Sequence, residues 1–115
     1  MSVKIYHNPR CTKSRQTLQL LKDKGIEPEV IEYLKTPPSP AELADILEKL
    51  GIEPRALMRK QEAEYKANGL DNSALDTQAL INGMVSHPIL IERPIVVANG
   101  KAAVGRPPEN VLGIL

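Results

Sequence analysis

An apolar run at residues 2–6, a helical stretch from Thr12 to Lys24 and a second apolar run at Glu29–Tyr33 constrain this chain more tightly than any other feature. Leu18 and Leu21 fall on one face of the helical stretch, and Gly25 follows as its C-terminal stop. Two strands joined by a helix of that length form a βαβ unit, so the strands are expected to be parallel with a right-handed crossover. The loop His7–Arg15 between the first strand and the helix then opens at the strand's C-terminal end.

Beyond this unit, Thr36-Pro37-Pro38 breaks the pattern, and Ser39-Pro40-Ala41-Glu42 combines an N-cap, a proline at the first helical position and a capping-box glutamate. Leu43, Ile46, Leu47 and Leu50 give the following helix an apolar face, closed by Gly51. Further helices are expected from Pro54 to about Ala67 and from the cap Asp76 to Val85, the latter with Leu80, Ile81, Met84 and Val85 inward and Gly83 as a weak point. After Pro88 the period changes to that of strands. Ile95–Ala98, the turn Asn99-Gly100 and Lys101–Val104 form a hairpin. A closing helix near Pro107 carries Val111, Leu112 and Leu115. The order is βαβ, a helical insertion over about 39–87, then ββα.

The 115 residues suffice for one compact domain that buries ~60–70% of its unfolded surface. Three Tyr with no Phe or Trp leave the core to aliphatic side chains and argue against base-stacking platforms. A net charge of +1 argues against wholesale coating of nucleic acid or anionic membrane. No apolar run approaches ~20 residues, and the chain opens directly into Val3-Lys4-Ile5-Tyr6, so a cytoplasmic protein is expected.

Cys11 is the only cysteine, which excludes an internal disulfide and fits a reducing compartment. At a strand-to-helix turn its sulfur faces unpaired amides and the positive end of the helix, which favour thiolate. His7, Arg10, Lys13 and Arg15 are expected to add local positive charge, and the Ser14 hydroxyl, one turn on, lies within reach of the sulfur. A lone reactive cysteine cannot complete a redox cycle alone, so an external thiol is implied. With one cysteine and two histidines no zinc-ligand spacing exists, and no metal is expected. Arg59, Arg93 before Pro94 and Arg106 before Pro107 are candidates for a tetrahedral oxyanion. The spacing from Cys11 to Arg15 is too short for the phosphate loop of tyrosine phosphatases.

The segments Tyr6–Arg15, Tyr33–Ser39, Arg55–Lys60, His87–Val97 and Gly105–Pro108 together resemble the glutaredoxin-coupled, glutathione-dependent arsenate reductase family, over essentially the whole chain. The resemblance implies a thioredoxin-like mixed α/β sheet with the helical insertion between the second and third core strands. It further implies that Cys11 is the nucleophile, supported by His7 and Ser14, that Arg59, Arg93 and Arg106 hold the oxyanion, and that Pro94 stands at the site with a cis bond before it. The implied substrate is arsenate. Glutathione serves as co-substrate, glutaredoxin as protein partner, and no cofactor is tightly bound. Some members carry a small residue where this chain has Arg10, and longer members extend past Leu115. Three other readings share the scaffold. A redox-sensing RNA polymerase adaptor would need Cys-x-x-Cys where this chain has Cys11-Thr12-Lys13-Ser14. A general glutathione-dependent thiol oxidoreductase would not need the three arginines, and an anion-binding module would keep the scaffold without turnover.

Overall fold

The computed structural model describes residues 2–115. These divide into two compact units, one formed by the chain up to Thr36 together with Arg93–Leu115, the other by Pro37–Glu92. The helical insertion expected at about 39–87 lies within the second unit.

The first unit is built on a four-stranded mixed sheet with the order β2-β1-β3-β4. Strand β1 (Val3–His7) is followed by α1 (Thr12–Asp23) and β2 (Glu29–Glu32), and β1 pairs with β2 in parallel, Ile5 opposite Val30 and His7 opposite Glu32. Strands β3 (Ile95–Ala98) and β4 (Lys101–Val104) form the hairpin, and β3 runs antiparallel to β1 with Tyr6 opposite Ile95. Asn99 and Gly100 both take positive φ, 54° and 72°, as a two-residue hairpin turn that follows strand twist requires. Val3, Ile5, Leu21, Val96, Ala98 and Val111 form the buried core, with Leu18, Leu20 and Ile26 packed against it. This cluster is aliphatic, but all three tyrosines, Tyr6, Tyr33 and Tyr65, are buried as well, so the interior is not left to aliphatic side chains alone as expected.

The closing segment is a 3₁₀ helix, Pro108–Ile114, rather than an α-helix. Its inward residues explain why. Pro108 and Val111 are buried and Ile114 packs on the core, a spacing of three that matches 3₁₀ geometry, whereas Leu112 is 38% exposed.

In the second unit, α2 (Pro40–Leu50) starts at Ser39 with the full capping box: Ser39 Oγ accepts from Glu42 N–H, and Glu42 Oε1 accepts from Ser39 N–H. The helix expected from Pro54 to Ala67 is broken. Pro54–Leu57 is a 3₁₀ turn, Met58 is extended and bridges Ile91, and only Ala63–Ala67 forms a helix, α3. Arg59 N–H donates to Leu90 O at 2.7 Å and Glu92 N–H to Leu57 O at 2.8 Å, so partners remote in sequence take the backbone groups a continuous helix would have used. Helix α4 (Thr77–Ser86) begins at Asp76, whose carboxylate accepts from Ala79 N–H, and buries Leu80, Ile81 and Met84, with Val85 half-buried. Gly83 is tolerated within it for a packing reason: a Cβ there would lie 2.7 Å from Leu70 Cδ2.

In the first unit one glycine ties the sheet to α1. A Cβ on Gly105 would meet Thr17 Oγ1 at 2.5 Å and Pro94 Cγ at 2.9 Å. Thr17, fully buried on α1, is itself held by donation from Oγ1 to Lys13 O at 2.7 Å. Gly105→Ala is therefore expected to destabilise the fold by about 1–3 kcal/mol through overpacking. Urea denaturation checks this, and an unchanged midpoint would contradict it.

Candidate active site around Cys11

The site is built where β1 ends. Cys11 is the N-cap of α1, extended at φ −93° and ψ 124°, and its backbone closes the turn: Cys11 N–H donates to Asn8 O and Arg15 N–H to Cys11 O, both at 3.0 Å. Asn8 organises the loop further. Its Oδ1 accepts from Arg10 N–H and its own N–H donates to Ser14 Oγ, both at 3.0 Å. Arg15 folds back on the same loop, donating to Pro9 O at 2.9 Å and to Thr12 Oγ1 at 3.2 Å.

Cys11 is only 8% exposed. Burial by itself pushes the thiol's pKa up, yet the net shift is downward, because the Arg93 guanidinium hydrogen-bonded to the sulfur, the Ser14 backbone N–H and the charges of Arg93 and Arg106 outweigh it. Arg106 Nη2 stands 3.5 Å from Cys11 Sγ across 95 residues of sequence. Arg106 is anchored in turn, donating from Nε to Arg93 O at 2.8 Å, while Gly105 N–H donates to Pro94 O at 2.9 Å and Asn110 Nδ2 to Arg106 O at 3.0 Å. The Arg93–Pro94 and Arg106–Pro107 bonds are both cis. The structure thus brings Cys11, Arg93, Pro94 and Arg106 together.

Two local expectations change. The Ser14 hydroxyl is engaged by His7 Nδ1 at 2.6 Å and by Asn8 N–H, so Ser14 reaches the sulfur's electrostatics through its backbone N–H. His7 is buried, and desolvation, aided by Arg15 and Lys22 against the opposing pull of Glu32, lowers its pKa below the ordinary 6.5. It is therefore a neutral ring beneath the loop at neutral pH and not one of the cations around the sulfur. Arg59 belongs to the second unit. Its side chain is 12% exposed, Nη2 lies 3.3 Å from Glu62 Oε2, and among the described residues Nε and Nη1 have no hydrogen-bond partner. Asn8, Thr17 and Gly105 shape the site without having been singled out in the sequence. An Asn followed by Pro at a strand end was the one available signal, for Asn8.

Because His7 has a depressed pKa, the folded state binds fewer protons than the unfolded one below 6.5. Its contribution to stability is present above that value and is lost as pH falls through the folded pKa. His7→Gln is expected to make the loss of stability as pH falls below 6.5 shallower. Unfolding midpoints across that range decide the point, and identical slopes would count against it.

Residues 6–114 match the ArsC family. The arsenate reductase of Neisseria meningitidis serogroup B is 55% identical over 98% of this chain and 97% of that protein. The uncharacterized protein YfgD of Escherichia coli K12 is 60% identical over 98% of this chain and 96% of its own length. The solved structure of an arsenate reductase from Vibrio cholerae superposes with a TM-score of 0.97 at 57% identity, covering 100% of this chain and 98% of that one. The family model and the near-full-length relatives agree, and the chain belongs to the ArsC family of thioredoxin-like proteins.

Proposed function

We propose that this protein reduces arsenate to arsenite with Cys11 as its single nucleophile, glutathione and glutaredoxin supplying the two electrons. The observation that carries the reading is the 3.5 Å contact of Arg106 Nη2 with Cys11 Sγ, beside the Arg93 guanidinium, in a site that lowers the thiol's pKa. Arsenate reductases at 55% identity over nearly the whole chain support the same substrate.

In the proposed reaction, the Cys11 thiolate attacks arsenic, an As–S bond forms, and one arsenate oxygen leaves as water with protons taken from solvent. Arg93 and Arg106 neutralise the oxyanion and hold it in line with the sulfur, acting by placement and charge. The family resemblance adds Arg59 as a third ligand. A glutathione thiolate then attacks Cys11 Sγ on the side away from the arsenic. When the Cys11–glutathione S–S bond forms, the As–S bond breaks and its electron pair reduces As(V) to As(III). Glutaredoxin clears the mixed disulfide by thiol exchange, as a chain with one cysteine requires. His7 and Ser14 act as positioning residues under the loop through their 2.6 Å contact.

The test is a coupled assay containing arsenate, glutathione, glutaredoxin and glutathione reductase. Cys11→Ser is expected to abolish turnover, and Arg93→Ala to lower kcat/KM for arsenate about a hundredfold while exchange of a glutathione mixed disulfide falls much less. Equal rates for the native protein and Cys11→Ser would overturn the reading. Parallel losses in both reactions of Arg93→Ala would favour a general thiol oxidoreductase.

A further inference from the structure

The sheet order β2-β1-β3-β4 sets β1, and the Cys11 loop that follows it, between β2 on one side and the β3–β4 hairpin on the other. Arg93 and Arg106 come from the hairpin side. On the β2 side lies a cleft of about 230 Å³, whose walls include Asn8, Pro9 and Arg10 from the loop and Glu32, Leu34 and Lys35 from the end of β2. His7 and Glu32 are register partners in the parallel pair, so the cleft opens at the carboxyl ends of two parallel strands, where open α/β sheets take their ligands.

The cleft offers two cations, Arg10 and Lys35, one carboxylate, Glu32, and an apolar wall of Pro9 and Leu34, the latter 42% exposed. Lys35 Nζ and Glu32 Oε1 are 3.6 Å apart with side chains 80% and 44% exposed, a loose surface pair that yields readily to a better partner. Arg10 is exposed, its backbone N–H is fixed to Asn8 Oδ1, and its Cα is one peptide from that of Cys11.

We propose that this cleft binds the tripeptide thiol that reduces the arsenic, on the opposite side of Cys11 from the oxyanion. Glutathione carries two carboxylates, one ammonium and a thiol between them at neutral pH. Two cations and one anion in the cleft match that set in number and sign. The arrangement also keeps the tripeptide's carboxylates off Arg93 and Arg106, which would otherwise be contested by the two anionic substrates of one reaction. The thiol donated from this side forms the S–S bond to Cys11 as the As–S bond breaks, its electron pair passing to arsenic. The inference rests on glutathione being the electron donor, and its test separates the two ideas.

S-methylglutathione, which binds without reacting, is titrated into the native protein while amide shifts are followed. Shifts are expected at His7, Asn8, Arg10 and residues 32–35, and Arg10→Glu is expected to weaken binding about tenfold and to raise KM for glutathione by the same factor, leaving KM for arsenate unchanged. Glutathione-dependent turnover with shifts confined to other residues, or with KM for glutathione unaltered in Arg10→Glu, would overturn the cleft while leaving the reductase reading intact. A change in KM for glutaredoxin alone would assign the cleft to the protein partner and also overturn it. Shifts at the expected residues without arsenate turnover would support the cleft and remove the reductase reading.

Discussion

A buried sulfur ionises only if nearby charge offsets the loss of water, and that balance governs the design of this molecule. Cys11 is 8% exposed, so desolvation opposes the thiolate. The helix mouth contributes the Ser14 N–H, but the guanidinium groups that tip the balance, Arg93 and Arg106, stand immediately before β3 and soon after β4. The sheet, more than the cysteine loop, decides the chemistry. Antiparallel pairing of β3 with β1 and of β4 with β3 returns the chain twice to the edge where β1 ends.

The same edge is held by close packing. Gly105 lies against Thr17 of α1 and against Pro94, so the peptide that carries Arg106 sits where a side chain one carbon larger would collide. Arg106 then reaches back to Arg93 O, which makes the two arginines a single braced element. Under the loop, neutral His7 and fully buried Ser14 form a small polar contact that occupies the Ser14 hydroxyl and the Asn8 N–H. A loose cradle would let the arginines drift to solvent, where their effect on the sulfur would be screened.

Local patterns carried most of the fold. The βαβ unit, the Ser39 capping box, the Asp76 cap and the Asn99-Gly100 hairpin follow from short-range spacing, and each occurs where that spacing puts it. Features set by distant partners were not legible in this way. The extended Met58 depends on Ile91, and the 3₁₀ closing segment depends on which of its residues the core admits. The site divides along the same line. Cys11 at a helix mouth is visible in the motif, whereas neighbours in sequence, His7 among them, suggested a cation set that three-dimensional pairing replaces with Arg93 and Arg106. His7 is desolvated and neutral because β1 buries it, which no local spacing reveals.

Arginines remote in sequence, and not the basic residues of the cysteine loop, hold the Cys11 thiol below its ordinary pKa. Ultraviolet absorbance titration of the thiolate tests it directly, comparing Arg106→Ala and Arg93→Ala with Lys13→Ala and Arg10→Ala. The native midpoint is expected below the ordinary thiol value, with a clear rise in either of the first pair and little change in the second. A midpoint that moves with Lys13 or Arg10 and stays fixed when Arg93 and Arg106 are removed would contradict it.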